Sequence, residues 1–278
     1  MTQTWFITGS SRGLGRAITE NALAAGDNVV ATARNLTALA DLVAKYGTQL
    51  YPLQLDVSDS AAVTRAITAA TQHFNQIDVL VNNAGYANMA AIEETDLADF
   101  KAQMDTDFYG TLSTIQAVLP QMRERRAGHI INISSIGGRT GSAGLGAYQS
   151  AKFAVNGLTE VLGIEVAPFN IQVTTVEPGG MKTDWGGKSM AVATDSHYQE
   201  TVGQAVTMIH NAWETDNTVR YASDPTKVAT VIYKLSEMTA APRHLLIGKD
   251  AAQSASDSAK KLAESDEKYR ALTNATGF

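Results

Sequence analysis

Near its amino terminus the chain runs from a short apolar stretch, Trp5 to Thr8, through Gly9-Ser10-Ser11-Arg12-Gly13-Leu14-Gly15 into a helical pattern that lasts to about Ala25. A buried strand that turns through glycines straight into a helix constrains the fold strongly, since the strand needs neighbours and the helix must pack back across them. It also gathers the helix's first backbone N–H groups at one point, the geometry that receives a pyrophosphate at a positive helix end. Glycine serves there because a Cβ would hold the phosphates away. The spacing is Gly-x-x-x-Gly-x-Gly rather than G-x-G-x-x-G, so the dinucleotide-binding pattern is met in context and not in letter. A plain strand-to-helix turn is the alternative.

The succession repeats. Asn28 to Ala33 reads as a second strand, Leu39, Leu42 and Val43 as a helix at i, i+3, i+4 spacing, and Leu50 to Leu55 as a third strand. Residues 59 to 73 read as a helix and Ile77 to Val81 as a fourth strand. His129 to Ile133, Ile171 to Val176 and Arg243 to Ile247 supply three more, among helical stretches at about Asp96 to Arg126, 148 to 167 and Pro225 to about Met238. Strands that alternate with helices throughout predict an α/β fold, a parallel sheet of about seven strands clad on both faces. Residues 1–250 make up one domain, and 251–278 form a helical extension with Leu262, Tyr269 and Leu272 on one side. That extension has three options: to dock on its own domain, to cover a partner subunit, or to fray.

Composition narrows what such a fold does. A formal charge of −6 leaves no basic stripe for nucleic acid or an anionic membrane, so any phosphate site is local. The chain has no cysteine, which excludes disulfides, thiolate nucleophiles and Cys-based metal sites. Its five histidines, at 73, 129, 197, 210 and 244, form no close ligand pair, so no metal is expected. No apolar run approaches the roughly 18 residues of a membrane span, and MTQTWFITGSS lacks the regions of a secretory signal. A soluble cytoplasmic protein is the expectation.

The chemistry concentrates in ISSIGGRTGSAGLGAYQSAK. Tyr148 and Lys152 are four apart, so on a helix they share one face. A phenol that ordinarily titrates near about 10 becomes a usable acid or base when an adjacent cation favours its phenolate. Ser135 follows the strand that ends at Ile133 and brings a hydroxyl to the same edge. With nine tyrosines in the chain, a lone Tyr-x-x-x-Lys pair arises easily by chance, and the alternative is a solvated lysine beside a half-buried tyrosine. The run from Ile136 to Gly146 is too rich in glycine to form a packed element.

The second strand ends in Ala33-Arg34, where an acid would bind a ribose 2′-hydroxyl and an arginine accommodates a 2′-phosphate. Arg34 and Arg12 together suit a phosphate, which favours NADP(H) over NAD(H); two solvated arginines are the alternative. Asp56 follows the third strand, either to hydrogen-bond an adenine or to cap the next helix, a task equally suited to Ser58 or Asp59. Asn82-Asn83-Ala84-Gly85 closes the fourth strand with small residues that admit a ribose and amides that can bridge strands.

TGSSRGLG, LDVSD, NNAG, NISS, YQSAK and PGGMKT, in this order, make the chain resemble the short-chain dehydrogenase/reductase family over roughly residues 4 to 250. ATARN and GKDA look closest to its 17β-hydroxysteroid-dehydrogenase-like and carbonyl reductase subgroup. The resemblance implies a Rossmann-like doubly wound sheet and hydride exchange with a nicotinamide dinucleotide. It also implies a Ser-Tyr-Lys group completed by an asparagine. Ser135 then orients a carbonyl, Tyr148 exchanges the proton, and Lys152 binds the nicotinamide ribose while lowering the tyrosine pKa. Cofactor contacts fall on Gly9, Ser11, Arg12, Gly13, Leu14, Gly15, Arg34, Asp56, Val57, Asn83, Ala84 and Gly85. They continue on Tyr148, Lys152, Pro178 and Gly179, with Met181 and Thr183 at the carboxamide. Where the family usually has asparagine this chain has Asp107, which either replaces it functionally or is a helix-surface or helix-breaking aspartate.

Residues 184–222 are expected to form a lid, with Tyr198, Val202, Ala205 and Ile209 at helical spacing. Trp185, Met190, Tyr86 and Met89 would give an apolar cavity wall. The resulting expectation is an NADP(H)-dependent oxidoreductase acting on a carbonyl or alcohol of a small, largely apolar molecule, in a homodimer or homotetramer. The rivals are an NAD-dependent alcohol dehydrogenase, a non-catalytic dinucleotide-sensing module, and an epimerase or dehydratase of the extended branch. The last has different glycine spacing and a larger C-terminal region.

Overall fold

A computed structural model of the chain describes residues 2–183, 190, 192, 196–214 and 223–277, with 210–214 described by their backbone. The strands are β1 (Thr4–Ile7), β2 (Asn28–Ala33), β3 (Leu50–Gln54), β4 (Val79–Asn82), β5 (Gly128–Ile133), β6 (Ile171–Pro178) and β7 (His244–Ile247). They form one parallel sheet in the order β3-β2-β1-β4-β5-β6-β7, with Ile7 beside Ala31 on one side and Val81 on the other. The helices that follow the early strands are α1 (Gly13–Ala24), α2 (Ala40–Tyr46) and α3 (Ser60–Phe74). After β4 come α4 (Leu97–Met104), α5 (Gly110–Arg125) and α6 (Gly146–Val166), then α7 (Gln204–Glu214), α8 (Pro225–Ser236), α9 (Lys249–Lys268) and α10 (Arg270–Asn274).

Side chains alternate across the sheet with the strand period of two. Trp5, Ile7, Val29, Ala31, Val79 and Val81 pack with Ile18 and Leu23 of α1 and Ile232 and Leu235 of α8. Phe6, Val30 and Leu80 point the other way, against Ile67 of α3, Val118 of α5 and Leu162 of α6. Both faces are therefore covered, which is why the strands read as nearly continuous apolar runs. The one polar group Trp5 carries inward is satisfied, its Nε1 donating to Asp27 at 3.0 Å.

The chain builds outward from β1 in two directions, so the sheet has a switch point between β1 and β4, where a crevice opens beyond the carboxyl ends. That crevice is braced by polar bonds. Thr8 Oγ1 accepts from the backbone N–H groups of Asn83 (2.9 Å) and Ala84 (3.0 Å), and Asn83 Nδ2 donates to the carbonyls of Thr8 (3.0 Å) and Gly9 (3.2 Å). Behind them Asn82 Nδ2 donates to Asn132 (2.9 Å), whose amide donates to Thr159 on α6 (2.9 Å).

Two expectations about elements need correcting. The stretch from Asp96 to Arg126 is not one regular helix, because a π-turn over Asp105–Tyr109 separates α4 from α5. The glycine-rich run after Ser135 is partly packed: Ile136–Gly138 is a 3₁₀ turn with Gly137 and Gly138 buried. Glycine is needed there for close approach, since a Cβ on Gly138 would stand 2.8 Å from both Asn156 Nδ2 and Ser134 Oγ.

Asp59, not Asp56, caps α3, accepting from the N–H of Ala62 at 2.9 Å. Asp59→Ala is expected to cost about 1 kcal/mol, seen as a thermal midpoint about 2–4 °C lower. At the other end of the chain, α9 docks through Ala251 and Ala255, and Ser258 Oγ donates to the Arg139 carbonyl at 3.1 Å. Leu262, Tyr269 and Leu272 lie beyond that contact and are exposed. No helix among the described residues is long and apolar enough to cross a membrane.

Candidate active site

A cavity of about 710 Å³ occupies the crevice at the switch point. Its size falls in the range of small-molecule and cofactor sites. Its floor is the glycine turn, where Gly9 adopts φ +69° and a Cβ would meet Ala84 Cα at 3.0 Å. Arg12 precedes α1 without a side-chain capping bond, and the first turn holds no acid, so the helix's first N–H groups remain available to an anion.

All the expected cofactor positions except Gly15 lie on this wall: the rest of the glycine turn, Arg34, Asp56, Val57, Asn83, Ala84, Gly85, Pro178, Gly179, Met181 and Thr183, with Tyr148 and Lys152. Gly15 lies off that wall, where a Cβ would be 2.3 Å from the Gly9 carbonyl and 2.4 Å from Asn83 Nδ2, so the lack of a side chain lets α1 approach the strand ends. Asp56 holds a tight local turn. Its carboxylate accepts from Ser58 Oγ (2.7 Å) and the Ser58 N–H (3.0 Å), and these bonds, with Arg34 adding less, keep it below the usual carboxylate range.

Ser135, Tyr148 and Lys152 meet on the same wall, beyond β5 and on α6. Ser135 Oγ accepts from the Gly137 N–H at 3.0 Å, which fixes the hydroxyl, and it hydrogen-bonds to the Tyr148 phenol. Lys152 is buried, and its Nζ donates to the Ile133 carbonyl at 3.1 Å and stands 5.5 Å from the centroid of the Tyr148 ring. The three groups thus form one cluster, as their spacing suggests.

The acidity of that cluster differs from the sequence expectation of a phenol made acidic by its lysine. Burial, and after it the Asp107 carboxylate, push the Tyr148 phenol above its ordinary value, with the Ser135 bond pulling the other way. Burial also lowers the Lys152 pKa, and Asp107 opposes that. Asp107 lies off the cavity wall and is not on the helix surface. It is 1% exposed, in the π-turn, behind Lys152.

Several contributors were not legible beforehand. Asp250, in the first turn of α9, accepts from the Gly180 N–H at 2.6 Å and so holds the turn after β6 in place. Its place just after Gly248, at a helix start, was the available signal. Glu177, fully buried before Pro178, accepts from Asn156 Nδ2 (2.9 Å) and pairs with Arg139 (2.7 Å) and His244 (2.8 Å). It ties the turn after Ser135 to α6 and β7.

Away from the polar cluster of Ser135 and Lys152, Tyr148 has apolar neighbours. Tyr148 packs with Ala87, Met89, Leu145 and Met190, and Ala205 and Ile209 of α7 close on the same cluster. Met208 and Ile209 reach the cavity wall, and Val202 is buried in the π-turn Gln199–Gly203 that leads into α7. Tyr198 leaves the expected stripe: its hydroxyl donates to Glu93 at the surface. Trp185 and much of the 184–222 segment fall outside the described residues.

A positive helix end, a turn whose glycines at 9 and 13 let the backbone come close, and Arg12 and Arg34 on the cavity wall fit a phosphorylated dinucleotide. The model for short chain dehydrogenases matches residues 3–193. "Oxidoreductase BOA17" of Botryotinia fuckeliana is 46% identical over 99% of this chain and 100% of its own length. A short-chain dehydrogenase from Streptomyces avermitilis superposes with a TM-score of 0.93 at 34% identity, covering 100% of both chains. ElxO, solved with NADP bound, shares 27% identity over 88% of this chain and 96% of its own, with a TM-score of 0.74. The chain belongs to the short-chain dehydrogenase family. It is an oxidoreductase, with that family's doubly wound α/β fold.

Proposed function

We propose that the protein interconverts a carbonyl and a secondary alcohol on a largely apolar small molecule, using NADP(H), as a carbonyl reductase-like member of the family. The observation that carries this reading is that the phenol and hydroxyl of Tyr148 and Ser135 share one cavity wall with the glycine turn and Arg34. Residues 1–250 serve as the catalytic domain.

The nicotinamide, when bound, supplies or takes up the hydride. Ser135, its lone pair already engaged by the Gly137 N–H, donates to the carbonyl oxygen and stabilises the charge that develops there. Tyr148 passes its proton to the same oxygen, or takes it back in the reverse direction. Lys152, anchored on the Ile133 carbonyl, offers its remaining donors to a ribose and its charge to the phenol. Met89, Leu145, Met190 and Ile209 carry no charge around the phenol, which suits a hydrophobic ketone.

NADP(H) preference rests on Arg34 and Arg12 at the cavity mouth, with no acid at the end of β2, and agrees with ElxO's bound NADP. Arg34→Glu is expected to weaken NADPH at least about tenfold more than NADH in fluorescence titrations. Equal losses for the two would reject the assignment. A homodimer or homotetramer is proposed from α6, whose outer face exposes Phe153 (48%), Val161 (55%) and Ile164 (73%) within one arc of the helix.

A further inference from the structure

Asp107 places a second charge in the catalytic cluster. It sits in the π-turn between α4 and α5, and its side chain is wholly buried. Oδ1 accepts from the Tyr86 N–H at 3.1 Å, and Oδ2 accepts no hydrogen bond. Oδ2 instead faces Lys152 Nζ at 3.9 Å, between side chains that are 0% and 6% exposed. An asparagine of the same shape would leave the ammonium as the single full charge beside the phenol. The carboxylate sets an opposite charge 3.9 Å from that ammonium, in a medium that screens poorly.

We propose that Asp107 is a positioning residue that neutralises the field of Lys152 at Tyr148, so that the phenol keeps its proton and the site favours carbonyl reduction over alcohol oxidation at neutral pH. Reduction needs the protonated phenol and oxidation needs the phenolate. A neutral Lys–Asp pair therefore moves the pH at which oxidation becomes efficient upward. The proposal rests on the reading of Tyr148 as the proton carrier.

The neighbouring groups are few. From α6 come Tyr148 and Lys152; from the segment after β4 comes Tyr86, its phenol raised by burial and then by Asp107. Asp99 of α4 and Asp105 of the π-turn are exposed and act on Tyr86 more weakly than Asp107, with Arg34 opposing them. The neutral neighbours are Gln103, whose Nε2 donates to the Tyr86 carbonyl, and Thr111, whose hydroxyl donates to the Asp107 carbonyl. Burial pushes the Asp107 carboxyl up to about 6, with Lys152 and the Tyr86 N–H holding it back, so it is ionised above that pH.

The test is phenolate absorbance of the protein alone, at one alkaline pH where the fold persists, in wild type and Asp107→Asn, each corrected by its matched Tyr148→Phe protein. A shift of about one pH unit, expected from removing a buried charge at this range, gives about tenfold more Tyr148 phenolate in Asp107→Asn. Equal phenolate overturns the proposal. If Asp107→Asn does not fold, Asp107→Ser carries the same expectation.

Thermal stability gives an independent readout. Asp107 ionises near 3.8 when unfolded and near 6 when folded, so wild type loses stability as the pH rises through that window and Asp107→Asn does not. His129, pushed down to about 4 by burial, acts in the opposite sense in both proteins and cancels in the comparison. A loss of stability in wild type that continues through neutral pH and beyond would show the Asp107 carboxyl still protonated there in the folded protein, and would also overturn the proposal. Neither measurement uses substrate, so failure of the proposed reaction and failure of the Asp107 inference are separable.

Discussion

Tyr148→Phe is expected to lower kcat/KM for carbonyl reduction by about 10²–10⁴-fold, the usual worth of a positioned proton donor, while lowering NADPH affinity by less than about tenfold, the worth of one hydroxyl contact. The ring stays the same size, so its packing against Met89, Leu145 and Met190 persists. Lys152 keeps its anchor on the Ile133 carbonyl, which does not involve the phenol. The loss should therefore appear in kcat, the signature of an interaction made in the transition state. Ser135 alone cannot substitute, because its hydroxyl is held by the Gly137 N–H and an aliphatic hydroxyl is a much weaker acid than a phenol. Steady-state kinetics on the variant, paired with NADPH fluorescence titration, check both halves. Undiminished turnover would remove Tyr148 from the mechanism.

Gly15→Ala is expected to destabilise the fold by about 3 kcal/mol or more, because the new methyl has nowhere to go. It would meet the Gly9 carbonyl at 2.3 Å and Asn83 Nδ2 at 2.4 Å, and neither is the loose end of a flexible chain. Asn83 is held by two carbonyls, at 3.0 and 3.2 Å, and losing those bonds adds to the overpacking. For a chain of this size the thermal midpoint should fall by about 6–12 °C. A variant with an unchanged midpoint and weakened NADPH binding would instead place Gly15 against the cofactor.

The fold was largely legible because its information is local and repeated. Val29-Val30-Ala31 and Ile130-Ile131 are buried on both faces and read as strands at once, and the Tyr148–Lys152 pairing needs only the helical period. What stayed hidden depends on long-range approach. The role of Gly15 is set by Asn83, 68 residues away in sequence, and the acidity of Tyr148 is set by burial and by Asp107 across the cluster. Pattern alone could not separate a surface aspartate in a long helix from a buried one in a π-turn, since a π-turn merely adds a residue to a helical stretch and shifts which side faces inward. The bond from Asp250 to Gly180 joins residues 70 apart and leaves no periodic trace. The packed Gly138 looked like loop for a related reason: glycine marks both open turns and close approaches.

The most direct measurement is to offer the enzyme NADPH carrying deuterium at its transferable position with a panel of hydrophobic ketones and aldehydes, and to examine the alcohols by mass spectrometry and NMR. Deuterium on the carbinol carbon, formed by wild type and lost with Tyr148→Phe, is the expected result. Label that never reaches a carbinol carbon, or label transferred equally well without the phenol, would contradict the assignment of Tyr148 as proton carrier beside the transferred hydride.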